Sequence, residues 1–92
     1  MSKNCIVCTI EGRVQGVWFR AATKEKADEL GITGWVRNLE NGDVETQACG
    51  TEEQLSEFVA WLHKGPKASK VEAVEIGDVP CESFPDFRIL KK

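Results

Sequence analysis

The stretch WVRNLENGDVETQAC, residues 35 to 49, contains the strongest turn signal in the chain. Within it, Asn41-Gly42 separates two extended runs, Trp35 to Leu39 and Val44 to Cys49. Asn-Gly between two extended runs is a strong short-range signal for a hairpin. The stretch therefore predicts two antiparallel strands whose register is set at the turn.

Towards the N-terminus, the run Cys5 to Glu11 alternates in the pattern of a central strand with one fully buried face. Gly12 to Gly16 interrupts that period. A helix follows, because the next core-type side chains recur at helical spacing, and Gly31 provides its C-terminal stop. Those side chains are Phe19, Thr23, Ala27 and Leu30.

Towards the C-terminus, Thr51 and Gln54 have the spacing of a helix-starting capping box. Apolar side chains then follow as one helical stripe, and Gly65-Pro66 ends the predicted helix. The stripe consists of Leu55, Phe58, Val59 and Leu62. This segment predicts an amphipathic second helix.

A further extended segment runs from Val71 to Val79, a loop from Pro80 to Pro85, and a short last strand from Phe87 to Leu90. The order β-α-β-β-α-β, with the short C-terminal strand added, is the split βαβ pattern of ferredoxin-like domains. We therefore predict an α+β sandwich with two helices on one face of an antiparallel sheet. We expect one such domain over residues 1–92, because a chain of this length has room for a single core.

The composition is typical of a compact soluble protein, with 41% hydrophobic residues, 29% charged residues and a formal net charge of −3. The longest apolar run, Phe58 to Leu62, is five residues, and no signal-like segment follows the N-terminus. Neither membrane spanning nor secretion is indicated. A pI near 5.2 argues against broad binding of nucleic acid but allows one local cationic pocket. We expect a cytoplasmic monomer whose partners are small anions.

The loop Gly12-Arg13-Val14-Gln15-Gly16-Val17 joins the first strand to the first helix. Its glycines allow backbone N–H groups to converge on an anion. It lacks both the Gly-Lys-Ser/Thr ending of a nucleotide phosphate loop and the dinucleotide fingerprint. Loop statistics alone favour an ordinary strand-to-helix turn, which stays open as the alternative.

The first helix carries its charges in the reverse of the order that the helix dipole favours. Its cations come early and its anions late, whereas the second helix begins with Glu52 and Glu53 and ends with Lys64. A phosphate bound at the helix N-terminus would reverse the cost of an early cation. The alternative is that the first cation pairs with an acidic neighbour on the surface. The reversed charges are Arg20, Lys24 and Lys26, then Asp28 and Glu29.

Asn38 lies near the end of the second predicted strand. In a right-handed split βαβ unit, the first two strands run parallel with the third between them, so their C-terminal ends share one edge of the sheet. Two strand spacings, roughly 9 to 10 Å, then separate Asn38 from the loop after the first strand. That gap suits a phosphate and a water. The alternative is a polar residue leading into the turn.

No base or metal-ligand set accompanies this predicted site. The one histidine, His63, falls near the end of the second helix, and the carboxylates are scattered without metal-ligand spacing. An amide and a cationic cradle suit positioning and charge stabilisation in phosphoryl transfer. Such a site is expected to need no metal and to act on phosphates that carry a good leaving group, such as a carboxylate.

Two segments together, GRVQGVWFR at residues 12–20 and GITGWVRN at residues 31–38, resemble the paired sequence pattern of the acylphosphatase family. The resemblance extends from about Cys5 to Leu90, and Trp18 stands at a position where that pattern is variable. Members of the family are small ferredoxin-like enzymes. The resemblance implies hydrolysis of the carboxyl-phosphate bond of small acyl phosphates without a cofactor, with inorganic phosphate or sulfate as further ligands.

The resemblance also implies roles for individual residues. Arg20 matches the arginine that binds the phosphate, and Asn38 matches the asparagine that orients the attacking water. The substrate phosphate itself would take the proton of that water. The phosphate cradle would be formed by Arg13, Val14, Gln15, Gly16, Val17, Trp18 and Phe19, together with Arg20.

The four cysteines do not form a metal site, because Cys5 and Cys8 point to opposite faces of a strand. Strand parity puts Cys5 and Cys49 on the same outer face, on strands that the fold makes antiparallel neighbours. A Cys5–Cys49 disulfide is therefore a hypothesis for oxidising conditions, whereas cytosolic chemistry favours reduced thiols. Cys8 is expected to pack in the core.

Two alternatives to an enzyme remain. The same fold hosts RNA-binding modules, but the first and third strands carry no aromatic side chains for base stacking, and Lys64, Lys67 and Lys70 fit a solvated loop. We expect no nucleic-acid partner. A non-catalytic module that binds small anions in the same cradle is the other alternative, and turnover of benzoyl phosphate would separate it from the enzyme.

Overall fold

A computed structural model describes residues 3–91, so the remaining positions of the predicted domain, Met1, Ser2 and Lys92, lie outside the described residues. Five strands and two helices follow the predicted order. They are β1 (Asn4–Arg13), α1 (Phe19–Leu30), β2 (Thr33–Asn38), β3 (Val44–Gly50), α2 (Glu52–Lys64), β4 (Lys70–Asp78) and β5 (Phe87–Leu90). The predicted ferredoxin-like α+β fold is confirmed.

The strands form one sheet in the order β4-β1-β3-β2-β5. β3 pairs antiparallel with both β1 and β2, so the first two strands run parallel with the third between them, as predicted. β4 pairs antiparallel with β1. The prediction of an antiparallel sheet is wrong at β5 alone among the described strands, because β5 pairs parallel with β2 and makes the sheet mixed. The reason is the connection after β4: it contacts β3 where the Gln47 amide donates to Glu82, and it delivers β5 to the opposite edge of the sheet.

Both helices pack their apolar stripes onto the same face of the sheet. Thr51 caps α2 through the predicted capping box, and Gly31 ends α1 in the left-handed conformation. Neither helix within residues 3–91 is long and apolar enough to cross a membrane. The fully buried core side chains include Cys8, Ile10, Phe19, Val36, Val44, Ala48, Phe58, Leu62 and Phe87.

β1 continues two residues beyond the predicted end at Glu11. A register shift between Glu11 and Gly12 lets the strand bend and keep pairing with β4, so that Arg13 pairs with Lys70. Gly12 has a φ of 129°, and a Cβ there would overlap the backbone carbonyl of Lys70. The extra residue at this shift is Glu72 on β4, and Gly12 keeps a partner, so the glycine that was predicted to interrupt the strand lies within it.

Cys5 and Cys49 face each other across β1 and β3. A disulfide joins them in the structure, and both are buried although they lie on the face away from the helices. The segment after β4 crosses this face, because the Gln47 side chain, two residues before Cys49 on β3, donates a hydrogen bond to Glu82. Cys8 is a free thiol in the core, and Cys81 is a free thiol on the surface.

Candidate active site

The sheet brings Asn38 close to the loop that follows β1. Ile10 pairs with Val44, and Val44 pairs with Asn38, so these residues form one row across three strands. β1 continues from Ile10 to Arg13 before the loop begins, and two strand spacings, roughly 9 to 10 Å, separate the ends of that row. Asn38 therefore lies across one intervening strand from the loop.

The loop between β1 and α1 alternates its backbone conformation. Gly16 has a φ of 72° and Trp18 a φ of 68°, and Val17 between them has no positive φ. This alternation is the backbone pattern of a nest, in which successive N–H groups converge on an anion. Within residues 3–91, no acceptor takes a hydrogen bond from the N–H groups of residues 15 to 18. The loop thus offers unpaired donors.

The N-terminus of α1 adds further donors. Its N-cap residue, Trp18, supplies no side-chain hydrogen bond, and no acidic residue occupies the first turn. By contrast, α2 has both the Thr51 cap and acidic residues in its first turn. The first N–H groups of a helix have no partner within the helix, so the uncapped start of α1 has donors available for an external anion.

Arg20 lies in the first turn of α1, with its guanidinium held by the backbone of β5. Its Nη1 donates to the carbonyl oxygen of Leu90 at 3.1 Å. No acidic side chain of residues 3–91 forms a salt bridge with Arg20, which removes the alternative of a surface pair within that range. The remaining guanidinium N–H groups are available for another acceptor.

The other two cations of α1 have local partners. Lys24 contacts Asp28 at 2.9 Å, and its ammonium also donates to the Phe87 carbonyl. Lys26 contacts Glu29 at 2.9 Å. These pairs account for the reversed charge order at both lysines without an external anion. Of the three cations of α1, Arg20 alone has no acidic partner among residues 3–91, so its early position is the one that an external anion would explain.

A cleft of about 340 Å³ opens between the loop, the start of α1 and the sheet. An adjoining recess of about 610 Å³ shares Arg20 and Asn38 with it and adds Gln15, Leu39, Glu40 and Lys91. Volumes of this size are typical of small-molecule sites. The cleft itself is lined by Val14, Gly16, Trp18, Phe19, Arg20, Ala21, Asn38 and Ile89.

The amide of Asn38 has an unused acceptor. Two buried side-chain oxygens among the described residues lack a hydrogen-bond partner, Thr33 Oγ1 and Asn38 Oδ1, and only Asn38 lines the cleft. Burying a polar atom without a partner costs about 1 to 3 kcal/mol. A donor bound in the cleft would offset that cost, and water is the simplest such donor.

Gln15 ties the loop to the turn after β2. Its Nε2 donates to the carbonyl oxygens of Leu39 and Asp43, each at 2.7 Å. Asn38 directly precedes Leu39, so this side chain links the loop to the strand end that carries Asn38. These two hydrogen bonds hold the loop at a fixed position relative to Asn38.

The other predicted cradle residues differ in how far their side chains are buried. Arg13 is exposed at the end of β1 and is absent from the lining of the cleft. Val14 and Phe19 are buried in the core, and Val17 packs against it. The Phe19 ring lies 5.8 Å from that of Trp61. For the two buried residues and Val17, the backbone is the part available to an anion.

A model of the acylphosphatase family matches residues 6–89. The acylphosphatase of Legionella pneumophila strain Corby is 49% identical over 86 residues, which are 94% of each chain. The chain belongs to the acylphosphatase family. The prediction of an enzyme of this family is confirmed.

Solved structures of family members agree. The acylphosphatase from Coxiella burnetii superimposes with a TM-score of 0.93 at 42% identity, covering 96% of this chain and 93% of that one. The acylphosphatase from Bacillus subtilis superimposes with a TM-score of 0.92 at 34% identity, covering 95% of this chain and 98% of that one. The whole fold, including β5, is therefore that of the family.

Sequence reasoning missed the contribution of β5 to the cleft. Ile89 lines it, and the Leu90 carbonyl holds Arg20. A backbone carbonyl has no signal in the sequence, because every residue carries one. The parallel pairing of β5 with β2, the strand of Asn38, is the feature that brings these residues to the site.

Proposed function

We propose that the chain hydrolyses the carboxyl-phosphate bond of small acyl phosphates, giving a carboxylate and inorganic phosphate, without a metal ion. Arg20 and the unpaired N–H groups of the loop bind the phosphate. Asn38 orients the attacking water. The proposal is supported above all by two observations: Arg20 and Asn38 line the same cleft, and the Asn38 side chain has an oxygen, Oδ1, without a hydrogen-bond partner.

The reaction balances without a protein base. A water oxygen bonds to phosphorus, the bond between phosphorus and the carboxylate oxygen breaks, and that electron pair leaves with the carboxylate. The proton of the water passes to a phosphate oxygen, so an acyl phosphate dianion and water give a carboxylate and dihydrogen phosphate. Among the described residues, neither a carboxylate nor an imidazole lines the cleft itself, which supports this route, and the adjoining recess adds Glu40.

Arg20 and Asn38 act at different stages in this proposal. The guanidinium and the loop donors oppose the charge on the phosphate oxygens, both in the bound substrate and in the transition state. The Asn38 carbonyl oxygen accepts a hydrogen bond from the water, which directs its lone pair at phosphorus. Because this site carries no strong base, a leaving group as stable as a carboxylate is required.

Steady turnover by the purified protein tests the proposal. Benzoyl phosphate is supplied with a chelator present, and release of inorganic phosphate is followed over many turnovers. We expect sustained hydrolysis that inorganic phosphate inhibits competitively. Sustained turnover lost in the chelator and restored by a divalent metal would contradict the metal-free route.

The second candidate is a non-catalytic module that binds small anions in the same cradle. The uncapped N-terminus of α1 favours anion binding by itself, whatever the fate of the ligand. In the assay above, phosphate binding without turnover would favour the module.

We further propose that the protein works as a monomer in the cytoplasm, as a single domain over residues 1–92. Inorganic phosphate and sulfate would occupy the cradle as inhibitors. Neither nucleic acid nor a membrane is expected as a partner, in keeping with the net charge of −3.

A further inference from the structure

Trp18 stands out among the apolar side chains at the surface. It is 72% exposed, compared with 50% for Ile76 and 40% for Ile89, the other large exposed apolar residues within the described range 3–91. Two of the three, Trp18 and Ile89, line the cleft that contains Arg20 and Asn38. An indole so exposed adds little to the core, so packing does not account for it.

The backbone conformation at position 18 is also unusual for a tryptophan. Its φ of 68° lies in the left-handed region, and it is the only residue other than glycine with positive φ within residues 3–91. Gly16, two positions earlier, meets a similar φ of 72° with the residue that adopts it freely. The local structure therefore favours glycine at position 18, yet the chain has a tryptophan there.

Ile89 is the second exposed apolar side chain that lines the cleft, and we call Trp18 and Ile89 together the rim of the cleft. It pairs with Val36 on β2, and Val36 and Asn38 lie on the same face of that strand. Ile89 thus lies one strand away from Asn38, facing the helix side of the sheet. Val14, which also lines the cleft, is buried. Apolar side chains therefore line the cleft beside Arg20 and Asn38.

The adjoining recess adds charged side chains to its lining. Besides Arg20 and Asn38, it is lined by Gln15, Leu39, Glu40 and Lys91. An apolar group that extends from the bound phosphate would contact apolar side chains at Trp18 and Ile89, whereas on the recess side it would displace water from the charged Glu40 and Lys91.

We propose that Trp18 and Ile89 form an acyl-group subsite that selects acyl phosphates with an aromatic acyl group. This inference rests on the proposed function. With the phosphate held by Arg20, the acyl group of the substrate extends to the rim, where the indole offers a planar apolar surface. Aromatic rings gain additional binding by stacking on such a surface. Trp18 is then a specificity-determining residue, and its exposure and backbone conformation serve the substrate.

The test compares kcat/KM for benzoyl phosphate and acetyl phosphate, which share the phosphate and differ in the acyl group. The wild-type ratio should favour benzoyl phosphate, and Trp18→Gly should lower that ratio by about tenfold. Trp18→Phe retains a ring and should keep the ratio within about threefold of wild type. Because glycine suits the backbone at this position, Trp18→Gly should unfold at no lower temperature than wild type.

Ile76→Ala is the matched control. Ile76 is an exposed apolar side chain on β4, outside the cleft, so its removal should leave the ratio unchanged. An unchanged ratio in Trp18→Gly, or an equal fall in Ile76→Ala, overturns the subsite. If wild type hydrolyses neither substrate, the proposed function fails as well, and this outcome is distinct from turnover with an unchanged ratio.

Discussion

The Arg20 guanidinium donates a hydrogen bond to the Leu90 carbonyl oxygen across 3.1 Å, and so joins the first turn of α1 to the last residue of β5. One edge of the planar fork is thereby fixed, while no acidic side chain within residues 3–91 neutralises it. A cation that is oriented but not paired suits an incoming anion. This contact makes β5 part of the site.

Arg20→Lys should lower kcat/KM for an acyl phosphate by about 10²-fold, because an ammonium lacks the planar fork that pairs with two phosphate oxygens. It should also raise the inhibition constant of inorganic phosphate. Initial-rate kinetics with and without phosphate measure both effects. Lys24→Arg, on the same helix, is the control and should leave both constants near wild type. Wild-type kinetics in Arg20→Lys would remove Arg20 from phosphate binding.

Gln15→Ala should lower kcat/KM by about tenfold, because the loop loses the two hydrogen bonds that tie it to the turn after β2. Gln54→Ala is a matched control: Gln54 also bonds a carbonyl, that of Leu30, but far along the chain from the cleft. It should lower the melting temperature and leave kcat/KM of the folded protein unchanged. Equal kinetic losses in both variants would show that Gln15 acts only on stability.

Gly34→Ala should destabilise the fold more than Gly42→Ala. A Cβ at Gly34 would overlap the backbone carbonyl of Gln47 on β3, whereas nothing lies within 4 Å of a Cβ at Gly42. Gly42→Ala meets only the cost of positive φ, about 1 to 2 kcal/mol. Denaturant unfolding of both variants measures the difference, and equal losses would contradict the close approach of the strands at Gly34.

Thiol alkylation of the native protein without reductant should modify Cys81 alone. Burial raises the pKa of the Cys8 thiol to about 12, so the reactive thiolate is scarce at neutral pH. In denaturant without reductant, Cys8 and Cys81 should both react, and mass spectrometry counts the adducts. Reaction of all four cysteines under those conditions would show that Cys5 and Cys49 are reduced in solution.

Local signals predicted most of the fold. The Asn41-Gly42 turn and the capping box at Thr51 and Gln54 depend on neighbouring residues only, and both appear where the sequence indicates. β1 ends later than predicted, because its continuation past Gly12 depends on pairing with β4, which is distant in the sequence and has an extra residue, Glu72, opposite this point. The parallel pairing of β5 with β2 likewise depends on which edge of the sheet β5 reaches, and no local sequence signal indicates that edge.

The sequence predicts which residues meet at the candidate site better than it predicts where their side chains point. Topology brings Asn38 and the loop after β1 together from element order alone. Side-chain direction is a different matter: whether Gln15 faces an anion or the carbonyls of the neighbouring turn depends on where that turn lies. The exposed face of Trp18 likewise becomes visible only once the cleft is formed.

The central claim is that Asn38 serves the attacking water and Arg20 serves the phosphate. The most direct measurement is kcat for benzoyl phosphate, together with the inhibition constant of inorganic phosphate, in Asn38→Ala. We predict that kcat falls by about 10²-fold while the inhibition constant stays within about twofold of wild type. A kcat near wild type, or a loss of phosphate binding as large as the loss of turnover, would contradict the account.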